Sequence, residues 1–496
     1  MIPAYSGIVG TVVTLALLGL LIYKIAKRQW DMLSFNTIFL VGFMQFYSFA
    51  LITYWVIMGD EAFPNHTPSD ASWNFMSTMM IQFIVVYLVA YRLAKNFTWL
   101  QKIIPPIDLP VSYSGMLVVL GVTVGGILLT TLAGFSSLLE FFVIMVRPAF
   151  CGFAVGLAVV LVCRQPANPL FWIVLAAAFV FGVVVSTTFQ SGRRDALGIF
   201  LSALWMAYWS WLRYRPVKKQ LSIVAFGSIA ALMFLFAYTN MRGALTPEQS
   251  TLDARADQLT DIVTGKVNPL ESKNTKAVLL QDACLYTCYI MEEYPRTHPL
   301  VPFNGLAFFI TNPIPRAIYD DKPVAMGIQV QKHLNAGGNL GIGIIGHGWA
   351  EGLYIGMLIY AAFFGVVYRV MDSAIRDRAH NPYFLAAMGT GLGHMLALPR
   401  GEVSLFAVLW FYGFLSIVFL MWVVKAVLGN FMAAAGFFDW GTDQYGQPGE
   451  WEEMNKRREQ GIEDDQPELE DAGYGEDVTY GDESFVAQRR GDLGGA

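Results

Sequence analysis

His347 and Glu351 stand four positions apart near the start of a long apolar segment. On a helix this spacing places both side chains on one face. A base that removes a proton from a hydroxyl is commonly a histidine or a carboxylate whose pKa the protein adjusts. The pair is therefore a candidate catalytic base. The alternative is that the two groups only satisfy each other inside a helix bundle.

Two further polar groups lie close to an arginine in another apolar region. His394 precedes Arg400 by about two helical turns, and Glu402 follows Arg400 closely. These side chains are additional candidates for acid–base chemistry. Here too, mutual hydrogen bonding within a bundle is the alternative.

Arginine is the second residue type that indicates a site, because its guanidinium group stays charged and binds phosphate through paired hydrogen bonds. Arg147 lies inside an apolar segment, where a charge costs at least ~2.5 kcal/mol unless it faces a cavity or partner. Glu140, seven residues earlier, is a candidate partner. Five more lie near the ends of apolar segments or in the long region between them: Arg193, Arg194, Arg242, Arg316 and Arg400. Together they favour a diphosphate or acidic-sugar site over isolated interfacial or structural ion pairs.

The elements that position these residues follow from composition. The chain has 496 residues, of which 55% are hydrophobic and only 14% charged, whereas a soluble protein carries about a quarter charged residues. The net charge of −5 conceals a division, since residues 437–496 hold 17 acidic and 5 basic side chains and the remainder is net basic. This excludes an ordinary soluble enzyme, a secreted disulfide scaffold and a nucleic-acid binder. An all-α polytopic membrane protein remains.

The apolar runs are long enough for transmembrane helices, which need about 20 residues each. We predict eleven spans: 5–23, 36–58, 77–94, 112–133, 138–162, 169–188, 196–212, 220–239, 342–368, 383–398 and 404–429. Spans one to eight occupy residues 1–239, a large loop occupies 240–341, and spans nine to eleven occupy 342–429. The acidic segment 437–496 has few aliphatic residues and is predicted to be a disordered tail.

Orientation follows from the basic residues of the short loops. One set of loops holds most of them: Lys24, Lys27, Arg28, Arg92, Lys95, Lys102, Arg164, Arg213, Arg215, Lys218, Lys219, Arg369, Arg376 and Arg378. The opposite short loops hold only Arg193, Arg194 and Arg400. The first set is therefore predicted to be cytoplasmic, with the N-terminus and the 240–341 loop outside and the tail inside. The first span, with its charges after it, is expected to be an anchor rather than a cleaved signal peptide.

The large outer loop is expected to contain structure. Residues 251–264 and 275–294 have helical spacing, and the apolar stretch 298–323 is too interrupted by proline to span a bilayer. We expect that stretch to pack against the bundle or to lie in the membrane interface. Cys284 and Cys288, four residues apart in a predicted helix, favour packing over metal binding because nothing nearby completes a ligand set.

Four stretches resemble the Wzy-type polymerases, which join lipid-linked oligosaccharide repeat units into O-antigen or exopolysaccharide. They are SGRRDALGIF at 191–200, NPIPRAIYDDKP at 312–323, GHGWAEGLYIGMLIYAAFFG at 346–365 and LPRGEVSLF at 398–406. Arg316 with Lys322-Pro323, followed by the glycine-rich approach to a span, is the most specific of these features. The resemblance implies a C-type glycosyltransferase-like bundle in the bacterial inner membrane and a substrate carried on undecaprenyl diphosphate.

By position, the resemblance implies that Arg193 or Arg194, Arg316 and Arg400 match the family's outer-face arginines, which hold the diphosphate and the growing chain. One departure concerns the base. Where the family pattern leads us to expect an acidic residue, this chain has His347, so the base is His347 or Glu351.

The expected function is polymerisation of repeat units by a metal-independent glycosyltransferase that uses a lipid-diphosphate donor and no cofactor, because no Asp/Glu cluster is evident on the outer side. Expected partners are the undecaprenyl-diphosphate-linked oligosaccharide and membrane lipids, with chain-length regulator and flippase proteins as further candidates and no nucleic acid. An O-antigen ligase is the nearest alternative. A precursor flippase or transporter, or a scaffold for glycan assembly, ranks lower, since neither internal repeats nor symmetric helix breaks are visible.

Overall fold

The computed structural model describes residues 2–58, 66–107, 109–133, 140–188, 193–243, 283–336, 340–429 and 431. Across these ranges the chain is helical and contains no β-strand. Eight of the helices described there are long and apolar enough to cross a membrane. The protein is therefore an all-α polytopic membrane protein, as its composition predicts. The predicted tail 437–496 and the loop helix 251–264 lie outside the described residues, as do residues 275–282 of the second predicted loop helix.

The long helices are α1 (Ala4–Ala26), α2 (Phe35–Val56), α3 (Asp70–Leu93), α4 (Tyr113–Ala133), α5 (Glu140–Arg164), α6 (Pro169–Thr188), α7 (Arg193–Ser210), α8 (Val217–Gly243), α12 (Gly343–Asp377) and α15 (Val403–Val423). Three short helices lie between α8 and α12: α9 (Cys284–Glu293), α10 (Asn304–Thr311) and α11 (Met326–Leu334). Two more precede α15: α13 (Pro382–Gly389) and α14 (Leu392–Ala397).

Each of the eleven predicted spans coincides with a helix or a pair of helices, but the predicted number stays a prediction. The apolar part of α6, Pro169–Val185, is shorter than the eight candidate spans, and α7 is not among them. The tenth predicted span consists of α13 and α14, which are interrupted at Thr390 and Gly391. The fifth runs through Pro148 as one helix.

The interrupted pair α13–α14 lies in the core, where its freed carbonyl groups need partners. The indole of Trp205 donates to the Leu385 carbonyl at 3.0 Å, and the Ser202 hydroxyl donates to the Gly389 carbonyl at 2.9 Å. Both donors come from α7, which packs along the pair together with α5. Side chains of a neighbouring helix thus allow an interrupted helix to remain in an apolar core.

One end of the bundle, which we call the basic end, is held together by Asp31. Its carboxylate is buried and contacts the Nε atoms of Arg213 at 2.9 Å and Arg376 at 3.0 Å. Asp372 lies nearby in α12 and accepts the backbone N–H groups of Phe35 and Asn36, which begin α2. A carboxylate there accepts hydrogen bonds from amides that the helix leaves unpaired, and its negative charge is stabilised by the positive end of the helix dipole.

The opposite end, which we call the site end, carries the starts of α3, α12 and α15 and the short helices α9–α11. The carboxylate of Glu292 in α9 accepts hydrogen bonds from the Ser69 amide and hydroxyl at the start of α3. The Phe46 carbonyl, in a π-helical turn of α2, accepts the Ala283 amide just before α9. The described part of the predicted large loop, which begins at residue 283, is therefore attached to the bundle at this end.

Candidate functional site

Helix α12 is broken one residue after Glu351. Gly352 and Leu353 leave helical geometry, with φ of −164° and 54°, so the helix consists of two pieces that bend back on each other. A Cβ atom added to Gly356 would overlap the Gly348 carbonyl oxygen, and one added to Gly348 would lie 2.5 Å from the Met357 Cα. Glycine at both positions therefore lets the two backbones touch. The break leaves Glu351 at the C-terminal end of the first piece.

The first piece of α12 begins against the loop that contains Arg400. The amides of Gly343 and Ile344 donate to the carbonyls of Arg400 at 2.9 Å and Pro399 at 3.0 Å. Backbone groups that the first turn of a helix leaves unpaired are thereby satisfied. The stretches 343–351 and 399–403, which are distant in sequence, form one unit at the site end.

Within this unit His347 pairs with Glu402. The imidazole Nε2 lies 3.0 Å from Glu402 Oε1, and the amide nitrogen of Val403 lies 3.2 Å from the same Nε2 atom. His347 is 1% exposed and Glu402 is 7% exposed. The second carboxylate oxygen, Oε2, accepts the Gly327 amide of α11 at 2.7 Å. The start of α11 is thus tied to the carboxylate.

The His347 imidazole has a partner in either protonation state. A protonated Nε2 donates to Glu402, whereas a bare Nε2 accepts from the Val403 amide. The other ring nitrogen, Nδ1, is buried and has no hydrogen-bond partner in the part of the chain that the structure describes. Such a group can take up or release a proton without losing its position, which is a property of acid–base residues.

Glu351 lies next to this pair and is half-buried. Its Oε1 atom accepts the Gly305 amide at 2.7 Å and the Tyr360 hydroxyl at 2.8 Å. A Cβ atom added to Gly305 would lie 2.7 Å from that Oε1 atom and 2.8 Å from the Ser404 hydroxyl, so α10 approaches both side chains closely. Electrostatic interaction reaches from Glu351 to His347. The predicted pair therefore shares one site, but His347 bonds to Glu402 and Glu351 bonds to α10 and Tyr360.

A second histidine–carboxylate pair joins α14 to α7. His394 Nε2 lies 2.9 Å from Asp195 Oδ1, and the His394 ring packs on Phe406. The guanidinium group of Arg194 lies 4.2 Å from the centre of the same phenyl ring. Because Phe406 is one helical turn after Glu402, this second pair lies beside the first. Arg147, which is buried in α5, also belongs to the surroundings of this second pair, because it interacts electrostatically with Asp195.

The other predicted binding residues lie elsewhere or outside the described side chains. Arg316 is exposed on the turn after α10, and its Nη1 contacts the Asp320 carbonyl at 3.5 Å. The Lys322 ammonium is buried on the carbonyls of Asn312 and Ile314. Burial lowers the pKa of Lys322, and the neighbouring Arg316 lowers it further. Arg193 begins α7 and Arg242 lies near the end of α8, but neither side chain is described.

Sequence reasoning did not single out four residues of this region: Gly305, Gly327, Tyr360 and Asp195. Asp195 was visible as an acidic residue opening an apolar helix within the stretch 191–200. The two glycines act through their backbone amides, which a sequence pattern does not reveal.

Among the described residues no group of three or more His, Cys, Asp or Glu side chains is placed to hold a metal ion. Comparison of the chain with protein-family models, curated proteins and solved structures found no match.

Proposed function

We propose that the protein polymerises undecaprenyl-diphosphate-linked oligosaccharide repeat units into O-antigen or exopolysaccharide at the outer face of the bacterial inner membrane. The observation that carries the proposal is the position of Glu351, at a helix break beside the buried His347–Glu402 pair. Further support comes from the resemblance of the stretches around these residues to Wzy-type polymerases. Interrupted helices with polar groups at membrane depth commonly surround substrate sites.

In the proposed reaction, a hydroxyl of the acceptor repeat unit attacks the anomeric carbon of the sugar attached to the donor's lipid diphosphate. The new glycosidic C–O bond forms as the bond from that carbon to the phosphate oxygen breaks, and lipid diphosphate leaves. The hydroxyl proton passes to Glu351. This residue is the better placed base, because its Oε2 atom has no protein partner among the described residues and its side chain is less enclosed than His347.

The His347–Glu402 pair supports this base electrostatically, since an imidazolium near Glu351 would stabilise its carboxylate. The diphosphate gains negative charge as the sugar leaves, and fixed positive groups at that point lower the barrier. The proposed anion-binding residues are Arg147, Arg193, Arg194, Arg242, Arg316, Lys322 and Arg400. Arg194 and Arg147 accompany the second pair, Asp195 and His394, which contacts α15 at Phe406, one turn after Glu402.

The proposed orientation places the basic end in the cytoplasm. The basic end contains Arg213, Arg376 and Arg378. In bacterial membrane proteins the cytoplasmic loops carry the excess of basic residues, which favours this orientation. The site end then faces the periplasm, where lipid-linked repeat units are polymerised.

The proposal is tested in a strain of the source organism from which the gene is deleted. Deletion should leave single repeat units in place of the long glycan, and Arg316→Ala and Arg400→Ala should reproduce that defect at normal protein levels. Wild-type chain length in both variants would contradict the assignment of these arginines. If deletion instead leaves long glycan on the lipid carrier, the protein is a ligase and the polymerase proposal is wrong.

A further inference from the structure

Helix α10 has an exposed apolar face despite being far too short to cross a membrane. Its eight residues bury Gly305 and Phe308 against the bundle. On the opposite face Leu306 is 56% exposed and Ile310 is 59% exposed, and Phe303, immediately before the helix, is 73% exposed. Large apolar side chains grouped in this way on a surface indicate contact with a partner or a membrane.

The contacts of α10 with α15 locate it along a membrane span. The Phe309 ring lies 5.3 Å from Phe411, and the Tyr412 hydroxyl donates to the Phe309 carbonyl at 3.4 Å. Phe411 is eight residues after Val403, which corresponds to about 12 Å along the helix axis.

The candidate span that contains α15 has 25 residues, which is about 37 Å, compared with about 30 Å for the hydrocarbon core of a bilayer. If this span is centred in the bilayer, only about 4 Å extends beyond the core at each end. The contact at Phe411 then lies about 8 Å inside the hydrocarbon.

Both ends of α10 have protein partners for backbone groups, as a helix within the hydrocarbon needs. A helix end surrounded by lipid must have its unpaired backbone groups satisfied by protein. The Gly305 amide donates to Glu351, and the Asn304 amide donates to the Val301 carbonyl at 3.1 Å. At the other end the Lys322 ammonium donates to the carbonyls of Asn312 and Ile314. Lys322 therefore caps a helix in a region where water would otherwise be needed.

We propose that α10 is embedded in the membrane and that Phe303, Leu306 and Ile310 contact lipid hydrocarbon. The helix then separates Glu351 from the bilayer, and its Gly305 amide donates a hydrogen bond to the Glu351 carboxylate. This inference concerns the position of the segment and does not depend on the reaction proposed above.

The test uses the full chain reconstituted in phosphatidylcholine vesicles, with bimane attached at Leu306→Cys or Ile310→Cys. Val85→Cys, exposed within span α3, serves as the lipid-facing reference, and Lys332→Cys, exposed near the end of α11, serves as the aqueous reference. Labelled wild type corrects for the four native cysteines, of which three are buried.

Doxyl-labelled phosphatidylcholine should quench bimane at positions 306 and 310 as strongly as at position 85. Iodide should quench both several-fold less than at position 332. Iodide quenching equal to that at position 332 would place α10 in water and overturn the proposal. Resistance to both quenchers would show a protein surface covering α10, such as a second copy, and would overturn it as well.

Discussion

The imidazole of His347 in α12 lies 3.0 Å from the carboxylate of Glu402, the residue immediately before α15, although the two are 55 positions apart in the sequence. Both groups are buried, and the same carboxylate holds the first turn of α11 through the Gly327 amide. This histidine–carboxylate contact thus connects the first piece of α12 and the start of α15 with α11. Any change in the charge of the His347–Glu402 pair should therefore alter both the candidate site and the attachment of α11 to it.

Glu351→Gln separates the role of the carboxylate as a base from its role as an anchor. The amide oxygen of glutamine can still accept the hydrogen bonds from Gly305 and Tyr360, so we expect the thermal unfolding midpoint to stay close to that of wild type. A general base contributes about 10²–10⁴-fold to rate, so glycan polymerisation in vitro should fall by at least about 100-fold. Polymer of normal length and yield from this variant would show that Glu351 is not the base.

His347→Gln should reduce polymerisation less than Glu351→Gln, because His347 is enclosed and acts on the proposed base through its charge. Both variants are measured with the same purified lipid-linked substrate at equal protein concentration. His380→Gln, an exposed histidine between α12 and α13, is the matched control and should have wild-type activity. A larger loss in His347→Gln than in Glu351→Gln would make the histidine the base.

Gly356→Ala tests the close contact between the two pieces of α12. The new methyl group would overlap the Gly348 carbonyl, and relieving such an overlap by moving a helix typically costs about 1–3 kcal/mol. We therefore expect a thermal midpoint several degrees below that of wild type in detergent. Gly352→Ala is the control, because no atom lies within 4 Å of its added Cβ and its φ of −164° is extended backbone. Equal midpoints for the two variants would argue against the bent geometry of α12.

Much of the fold could be predicted from the sequence, because the length of an apolar run reflects the thickness of the bilayer. Residues 4–26 and 403–423 became helices for this reason. The break in α12 could not be predicted in the same way. Residues 346–365 form one apolar helical pattern, and a glycine at position 352 alone does not indicate a break. The bend depends on Gly348 meeting Gly356, which is a tertiary contact.

The candidate site was predicted in part. The type and spacing of His347 and Glu351 identified two of its residues, because ionisable groups are rare in apolar segments. Their partners were not predictable, since Glu402 and Gly305 approach from other helices. For Arg147 the sequence suggested Glu140, whose side chain lies outside the described residues; among the described residues, Asp195 of α7 interacts with it electrostatically. Such pairs depend on how helices rotate against each other.

His333 should make the stability of helix α11, in which it lies, sensitive to pH. Its ring stacks on His298 at 3.7 Å, and desolvation together with the neighbouring His298 lowers the pKa of His333. The folded state therefore binds fewer protons than the unfolded state below the ordinary histidine pKa of about 6.5, so stability should fall as pH falls below that value. Hydrogen exchange at residues 326–334 should accelerate between pH 7 and pH 5 beyond its intrinsic pH dependence. An unchanged pH response in His333→Gln would rule out this residue as the cause.

Asp31→Asn should destabilise the basic end more than any exposed acidic substitution. The Asp31 carboxylate is 2% exposed and pairs with both Arg213 and Arg376, so the variant leaves two guanidinium groups without that charge. Removing one partner of a buried ion pair typically costs about 3–5 kcal/mol. The expected result is a strongly lowered thermal midpoint and a reduced monodisperse fraction after detergent extraction. Asp320→Asn, at an exposed position after α10, is the matched control and should behave as wild type. Equal midpoints for the two variants would show that Asp31 does not hold the ends of α7 and α12 together.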